Sequence, residues 1–301
     1  MGKIVCCGEA LIDMIPTVGA DGQAAFAPHA GGAVHNTAIA LGRLGADVGF
    51  FTGLSCDMFG DMLRDSLTGA GVDISACVTC DRPTTLAFVQ LTNGQARYAF
   101  FDENSAGRMI TQNDTPNVQA DCLFFGGISL VAEPGADALL QMAQETKARV
   151  MLDPNIRPGV INNITRYRTR LNAMLAVVDI VKVSDEDLMW ITGSDAPLLE
   201  QAARLRASGP EVVIVTQGSD GAMALCGDET LYCPAEQAQI VDTVGAGDTF
   251  NAGVLASLQG QGALRGDITL TAVQQALQLG AKAAAVTVAR AGANPPWASE
   301  L

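Results

Sequence analysis

Short apolar runs alternate with amphipathic segments along nearly the whole chain. Runs such as residues 3–13, 121–127 and 148–153 are apolar on both faces, and segments with helical spacing follow them. Strands of this kind are typical of a parallel sheet covered by helices on both sides. The chain has 301 residues, of which 49% are apolar. We therefore expect an α/β fold, with a mostly parallel central sheet, in a single domain over residues 1–301.

Two stretches interrupt this alternation, approximately residues 14–30 and 82–105. Within the second, residues 84–91 and 96–101 read as two β segments that Asn93-Gly94 joins, and Asn-Gly is a strong hairpin signal. We predict that the two stretches form a small β-sheet that projects over the site as a lid. The alternative is two ordinary loops at the edge of the main sheet.

The charge balance limits the possible partners. Eighteen basic and 32 acidic residues give a net charge of −14, and no run of Lys or Arg supplies a basic patch. Such a chain repels nucleic acid and anionic membranes, so we expect neither as a partner. No charged segment followed by an apolar run opens the sequence, and no apolar run reaches about 18 residues. Together with eight cysteines that form no secreted framework, this predicts a cytoplasmic protein.

Polar clusters follow several of the predicted strands. They comprise Asp13, residues 153–157, residues 184–187, residues 216–218 and the turn at residues 245–248. Each cluster alone could be a loop or a helix cap. Because open α/β sheets bind ligands beyond the carboxyl ends of their strands, the five together predict one ligand site at that edge.

The segment Asp242–Phe250, DTVGAGDTF, carries the most specific chemistry. A strand-like segment (238–244) precedes it and a helix-like segment (249–258) follows. Gly245 and Gly247 allow a tight turn whose N–H groups face phosphate oxygens at the positive end of the helix. Asp248 lies at the same end, where it could accept a proton from an alcohol. The segment predicts phosphoryl transfer to a hydroxyl, and the alternative is a strand-to-helix turn with Asp248 as N-cap.

Two motifs resemble the signatures of a known family. Residues 31–45, GGAVHNTAIALGRLG, and residues 242–253, DTVGAGDTFNAG, are similar to the two signatures of the ribokinase-like (PfkB-type) sugar kinases. The resemblance spans essentially the whole chain. LIDM, DPNIRPG and the tail RAGANPP are most similar to bacterial fructokinases. The resemblance implies a ribokinase-like three-layer sandwich with a small β-sheet lid.

The resemblance also implies catalytic roles. Asp248 would be the base for the acceptor hydroxyl, and Gly245, Ala246 and Gly247 would donate N–H groups to the migrating phosphate as an anion hole. Arg157 would be a cation near that phosphate or near the sugar. The alternative for Arg157 is an ordinary surface arginine.

For the sugar, the resemblance implies contacts from both main motifs and from the lid. The residues are Asp13, Gly31, Gly32 and Asn36, with Phe88, Arg97 and Phe101 of the lid closing over the sugar. Asn36 could equally be a helix N-cap, and the aromatic side chains could be the core of the small sheet.

For the nucleotide, the resemblance implies ATP with Mg²⁺. Thr216, Gly218, Gly221 and Gly247 would bind ATP, although residues 216–221 could also be only a hairpin turn. Ser184 and Asp187 replace the family's Asn-x-x-Glu element, so they would bind the phosphates, with Glu186 or Asp187 holding Mg²⁺ indirectly. Carbonyl groups near Asp242, Val244 and Gly292 would hold a monovalent cation, K⁺.

The function expected from these residues is ATP-dependent phosphorylation of a free ketohexose, D-fructose. The alternatives are the same chemistry on 2-keto-3-deoxygluconate, ribose or a ribonucleoside, and a non-catalytic sugar or nucleotide sensor. The resemblance further implies a homodimer that forms through the lid, where exposed strand edges would be covered.

Overall fold

The computed structural model describes residues 2–92 and 95–301, without the side chains of residues 90–97. Its strands are β1 (Ile4–Cys7), β2 (Leu11–Val18), β3 (Ala24–Gly31), β4 (Val48–Phe51), β5 (Gly53–Ser55), β6 (Val78–Cys80), β7 (Leu86–Thr92), β8 (Gln95–Phe101), β9 (Cys122–Gly126), β10 (Arg149–Asp153), β11 (Ile180–Ser184), β12 (Val212–Thr216), β13 (Ala222–Cys226) and β14 (Glu229–Cys233). Its α-helices are α1 (Ala33–Arg43), α2 (Met58–Gly69), α3 (Gly135–Glu145), α4 (Ile164–Leu175), α5 (Asp185–Thr192), α6 (Leu198–Arg206), α7 (Ala246–Gly260) and α8 (Leu270–Val288).

The central sheet has eight strands in the order β14-β13-β12-β11-β10-β9-β1-β4. The six strands from β12 to β4 pair in parallel, and β13 and β14 continue the sheet in antiparallel pairing. Buried Val and Ile side chains dominate the inner strands, as expected where helices cover both faces. The predicted mostly parallel sheet is confirmed.

Alternate residues of each central strand enter two separate hydrophobic cores. In β1, Cys6 belongs to the core that contains Leu255 of α7 and Leu277 of α8. Its neighbour Cys7 belongs to the core that contains Leu139 of α3 and Leu171 of α4. The molecule is therefore a three-layer sandwich. Within the described ranges, no helix combines the length and apolar character needed to cross a bilayer.

A smaller sheet of four strands has the order β3-β2-β7-β8. It contains most of the two stretches that interrupt the alternation, which confirms that they form a small sheet. Strand β2 pairs antiparallel with β3 and parallel with β7, so that Asp13 lies opposite His29 on one side and Ala87 on the other. The predicted Asn93-Gly94 turn between β7 and β8 lies outside the described residues.

The opening segment, residues 3–13, was expected to be one strand, but it contains two. Strand β1 ends at Cys7 in the central sheet, and β2 starts at Leu11 in the smaller sheet. Gly8, Glu9 and Ala10 connect them. Because the chain changes sheets within three residues, Asp13 belongs to the smaller sheet, as the third residue of β2.

The prediction of a strand over residues 238–244 is wrong. The segment has no strand structure, and Ile240 and Val241 are 65% and 61% exposed. It lies against the C-terminal end of α8, where the N–H groups of Val241 and Asp242 both donate to the carbonyl of Val288 at 2.8 and 3.2 Å. The backbone of the segment thus bonds to the end of a helix, and the central sheet ends at β14.

Candidate active site

The N-terminus of α7 forms the centre of the site. Gly245, its N-cap, has φ +78°, and a Cβ there would lie 2.7 Å from the Cβ of Ala293, so only glycine fits without strain. Ala246 donates weakly to the carbonyl of Thr243 at 3.3 Å. Among the described residues, the N–H groups of Gly245, Gly247 and Asp248 have no protein acceptor. This turn can therefore receive the oxygens of an anion.

Asp248 lies in the first turn of α7 with a buried carboxylate. One oxygen, Oδ2, accepts a hydrogen bond from Nδ2 of Asn36 at 2.9 Å. Burial raises the pKa of Asp248 to about 7, the Asn36 bond opposes this rise, and the charge of Asp153 adds to it. A carboxyl group whose pKa lies near neutrality is well matched to accept a proton from an alcohol.

The residues predicted to bind sugar come together beside this carboxylate. Asn36 is in the first turns of α1, whose N-cap is Gly32 with φ +105°. Gly31 ends β3 against the carboxylate of Asp13, where a Cβ would collide with that group. Burial raises the pKa of Asp13 to about 6. Asn36 thus contacts Asp248, and Asp13 contacts Gly31 just before α1. Carboxylates and an amide suit the hydroxyl groups of a sugar, and a shared sugar site stays a prediction.

The predicted nucleotide-binding residues line a cavity of about 620 Å³ that reaches the N-terminus of α7. Thr216, Gly218 and Gly221 lie on one wall and Ala246 and Gly247 on another, with apolar side chains from α8 between them. Gly221 has φ +96°, and a Cβ there would lie 2.7 Å from the backbone nitrogen of Ala235. The cavity is large enough for a nucleotide whose phosphates point to Gly247.

The residues at the end of β11 do not line this cavity. Oγ of Ser184 caps α5 by accepting from the N–H of Asp187 at 3.0 Å. Asp187 is buried, accepts from the N–H of Ile156 at 3.1 Å, and has its pKa raised to about 6 by burial and by Asp153. Glu186 is exposed. Of the two acidic residues proposed for the metal, Asp187 is the one that faces the protein interior.

Arg157 is an exposed residue at the rim of the site. Its guanidinium donates to the carbonyl of Ile156 at 3.1 Å. Its charge lowers the pKa values of Asp187 and Tyr98, although burial raises each of them more. Arg157 thus lies near Asp187 and near the smaller sheet, and a direct contact with the transferred phosphate stays a prediction.

The three residues assigned to a monovalent cation lie in one loop contact. Asp242 accepts from the N–H of Val244 through Oδ1 at 3.0 Å and from the N–H of Gly292 through Oδ2 at 2.9 Å. The carboxylate therefore fastens the approach to α7 to the C-terminal segment. A cation at the neighbouring carbonyl groups stays a prediction.

The lid residues divide between the two faces of the smaller sheet. The strand register places Phe88 and Phe101 on the face opposite Asp13, where their ring centroids are 5.4 Å apart. Tyr98 and Phe100 share the face of Asp13. The geometry therefore does not bring Phe88 and Phe101 to the sugar residues. The side chain of Arg97 is one of those that the structure does not describe.

Two features of the site had no counterpart in the sequence analysis. The buried Glu9 accepts from the N–H of Ala33 at 3.1 Å and from the N–H of Ser129 at 3.2 Å, so it fixes the start of α1. The second is a buried cluster in which Asp153 Oδ2 accepts from Lys182 at 3.0 Å and from Asn251 at 2.7 Å. A lysine in the middle of a valine-rich strand was the signal that could have revealed this cluster.

Comparison with known proteins agrees with this geometry. The model of the pfkB family carbohydrate kinases matches residues 1–300. A fructokinase of Rhizobium leguminosarum bv. trifolii is 50% identical over 262 residues, which cover 85% of this chain and 79% of that protein. A fructokinase of Klebsiella pneumoniae is 33% identical over 94% of this chain and 95% of its own length.

The solved structures agree on the fold. The structure of a fructokinase from Xylella fastidiosa with bound ATP matches with a TM-score of 0.88 and 29% identity, over 97% of this chain and 93% of that one. The ribokinase-like three-layer fold is thereby confirmed. The site and the fold define a sugar kinase, and the chain belongs to the pfkB family of carbohydrate kinases.

Proposed function

We propose that the protein transfers the γ-phosphate of ATP to a hydroxyl group of free D-fructose, with Asp248 as the base. The observation that carries this proposal is the buried Asp248 carboxylate beside the N–H groups of α7, joined at 2.9 Å to Asn36 of the sugar-binding motif. The Rhizobium relative is a fructokinase at 50% identity, and the Xylella fructokinase was solved with ATP, which supports both substrates.

In the proposed reaction, the hydroxyl oxygen of the sugar attacks the γ-phosphorus while its proton passes to Asp248. The bond between the γ-phosphorus and the bridging oxygen breaks, and its electron pair leaves with ADP. The N–H groups at Gly245 and Gly247 face the charge that develops on the phosphoryl oxygens. Asn36 holds the Asp248 carboxylate in place while the sugar is bound.

The protein groups fit a role for Mg²⁺. Within the described part of the chain, no three acidic, histidine or cysteine side chains converge on one point. This fits an ion that one or two carboxylates and the substrate phosphates hold together. Asp187, buried at the start of α5, is the carboxylate that would bind the ion, and the bound ion would neutralise charge on the nucleotide.

A panel of acceptors tests the proposal. ADP release is measured with D-fructose, 2-keto-3-deoxygluconate, ribose and a ribonucleoside, each with and without a chelator of divalent ions. We expect the highest kcat/KM with fructose and no turnover after chelation. A higher value with another acceptor would contradict the fructose assignment. Rates that never exceed the background with water would support the sugar or nucleotide sensor instead.

We also propose that the protein is a homodimer that forms through the smaller sheet. The face of that sheet opposite Asp13 carries Phe26, Phe88 and Phe101, and the ring of Phe88 contacts the other two edge to face at centroid distances of 5.0 and 5.4 Å. Phe26 and Phe101 are 47% and 61% exposed. In the described residues, β3 and β8 are edge strands that pair on one side only. A second copy would cover both the rings and the edges.

A further inference from the structure

Lys182 is a buried lysine in an otherwise apolar part of a strand. It is the third residue of β11, and its neighbours Ile180, Val181 and Val183 are buried apolar side chains. Only 6% of Lys182 is exposed. Lysine is almost never buried to this extent without a partner, because its ammonium group is strongly hydrated in water. The contacts of the ammonium group must therefore stabilise it in this buried position.

The protein supplies one charged partner. Nζ of Lys182 donates to Oδ2 of Asp153 at 3.0 Å, and the amide of Asn251 donates to the same oxygen at 2.7 Å. Asp153 ends the neighbouring strand β10, and Asn251 is one turn along α7 from Asp248. The lysine is thus fixed at the carboxyl end of the sheet, on the side where α7 begins.

The ammonium group also lies against the anion-binding turn. A Cβ added to Gly247 would lie 3.2 Å from Nζ of Lys182, which is its only contact within 4 Å apart from the adjoining residues and backbone of α7. Gly247 is the second residue of α7, where the N–H groups already create a positive field. A cation is unfavourable at the positive end of a helix unless an anion joins it. The two positive features together therefore form a site for an anionic group.

The ammonium group of Lys182 lowers the pKa values of two neighbouring carboxylates. Burial raises the pKa values of Asp248 and Asp187, while Lys182 lowers both. Its charge therefore reaches the reaction centre. Arg170, the other cation buried among the described residues, lies by contrast in contact with Glu133 and Asp137.

We propose that Lys182 is a further catalytic residue, whose ammonium group binds an oxygen of the γ-phosphoryl group while it is transferred. This inference rests on the proposed function. Lys182 keeps its three protons and forms no covalent bond, and it adds a full positive charge to the neutral N–H groups of α7. Asp153 is a positioning residue that holds the ammonium group beside Gly247. The competing interpretation is that Lys182 serves only to neutralise Asp153.

Removing both partners of the pair separates these interpretations. Lys182→Met is compared in the wild-type chain and in the Asp153→Asn chain, where no buried carboxylate is left without its counter-ion. If the ammonium group acts on the phosphate, Lys182→Met lowers kcat about 100-fold in both backgrounds and changes the KM for fructose less than about 3-fold. If Lys182 only neutralises Asp153, the substitution has no effect on kcat in the Asp153→Asn background, and the proposal is overturned.

A binding measurement decides the matter if the Asp153→Asn chain is itself too slow to assay, or if Lys182→Met alone does not fold. Each folded Lys182→Met protein, single or double, is titrated with ADP, fructose and aluminium fluoride, which mimics the transferring phosphoryl group. We expect ADP to bind as in the matching Lys182 protein and aluminium fluoride to bind at least about tenfold more weakly. Equal binding of aluminium fluoride would overturn the role of Lys182.

The wild-type protein is assayed first, with fructose and ATP. Wild-type turnover together with unaffected Lys182 variants would contradict this inference alone. Failure of the wild type to phosphorylate any sugar would contradict the proposed function, and the role of Lys182 with it.

Discussion

Asp248 combines burial with a hydrogen bond from Asn36, a residue of the first motif. Because its pKa is raised to about 7, a large fraction of the free enzyme holds a protonated Asp248 below neutral pH. The protonated form cannot accept a proton from the sugar. The base must therefore lose its proton before the reaction can begin.

We accordingly predict that kcat/KM rises with pH through an apparent pKa near 7, the value for Asp248 in the free enzyme. Asn36→Ala removes the hydrogen bond that lowers this pKa, so the rise should move to higher pH. Initial rates between pH 5 and 9 at low sugar concentration measure both profiles. A wild-type profile that is flat across this range would show that Asp248 does not titrate in the reaction.

A second buried group, His35, makes the stability of the protein depend on pH. Burial lowers its pKa to about 4 from an ordinary value of 6.5, and Nε2 has no partner among the described residues. The folded state therefore binds this proton less readily than the unfolded state. His35 contributes its full stability above pH 6.5 and loses it as pH falls toward 4.

We predict that His35→Leu loses less stability than the wild type between pH 7 and 4.5. The difference in Tm between the two proteins should change by several degrees in favour of the variant as pH falls. His29→Leu is the matched control, because His29 is exposed on β3. Parallel curves for His35→Leu and the wild type over this range would contradict the prediction.

At the scale of elements, the position of α7 depends on a close contact with α8. A Cβ on Gly253 of α7 would lie 2.6 Å from Cα of Gly280 and 2.8 Å from its nitrogen, and both are backbone atoms that cannot rotate away. The two glycines let the helix backbones touch. This contact holds α7, whose residues Ala246 and Gly247 line the cavity, against α8.

Gly253→Ala should therefore separate the helices, lower the free energy of unfolding by about 1–3 kcal/mol, and reduce kcat because the anion-binding turn moves. Gly260→Ala, at the far end of the same helix, is the control, since a Cβ there meets no atom within 4 Å. That variant should be as stable as the wild type or slightly more stable. Thermal unfolding and turnover measure both, and equal behaviour of the two variants would refute the contact.

The elements also show what the sequence could reveal about the fold and the site. Alternation of apolar strands and helices predicted the central sheet, and the turn at residues 245–248 was identified from glycines followed by an acidic residue. The prediction of a strand over residues 238–244 failed because an apolar run does not show whether its backbone bonds to a sheet or, as here, to the end of a helix. The sequence also did not show on which face of the smaller sheet Phe88 and Phe101 lie. That face is set by the register of β2 with β7, which depends on tertiary pairing.

The contacts of the buried polar residues could not be predicted from the sequence for a related reason. Glu9, Asp153 and Lys182 come from separate parts of the chain and meet only in the folded protein. Their residue types do not indicate which residue each one contacts. A glycine-rich turn, by contrast, indicates its own geometry from a few adjacent residues. The sequence therefore predicted the parts of the site that are local motifs. It missed the parts in which residues from distant segments come together.

At the scale of the whole molecule, the proposed dimer predicts how one surface residue affects assembly. Phe101→Asp places a charge in the exposed aromatic cluster of Phe26, Phe88 and Phe101, so the protein should change from dimer to monomer. Light scattering coupled to size-exclusion chromatography measures the mass. Leu199→Asp, on α6 and 44% exposed before substitution, is the control and should remain dimeric. A wild-type protein that is monomeric at micromolar concentration would contradict the proposal.

The central claim is that Asp248 removes the proton of the sugar while α7 holds the phosphate. The most direct test compares wild type and Asp248→Asn for calorimetric binding of fructose and ATP and for turnover in the same preparation. We expect both ligands to bind with Kd values within about fivefold of the wild type, while kcat falls by about 10³-fold or more. Turnover close to that of the wild type in Asp248→Asn would contradict it.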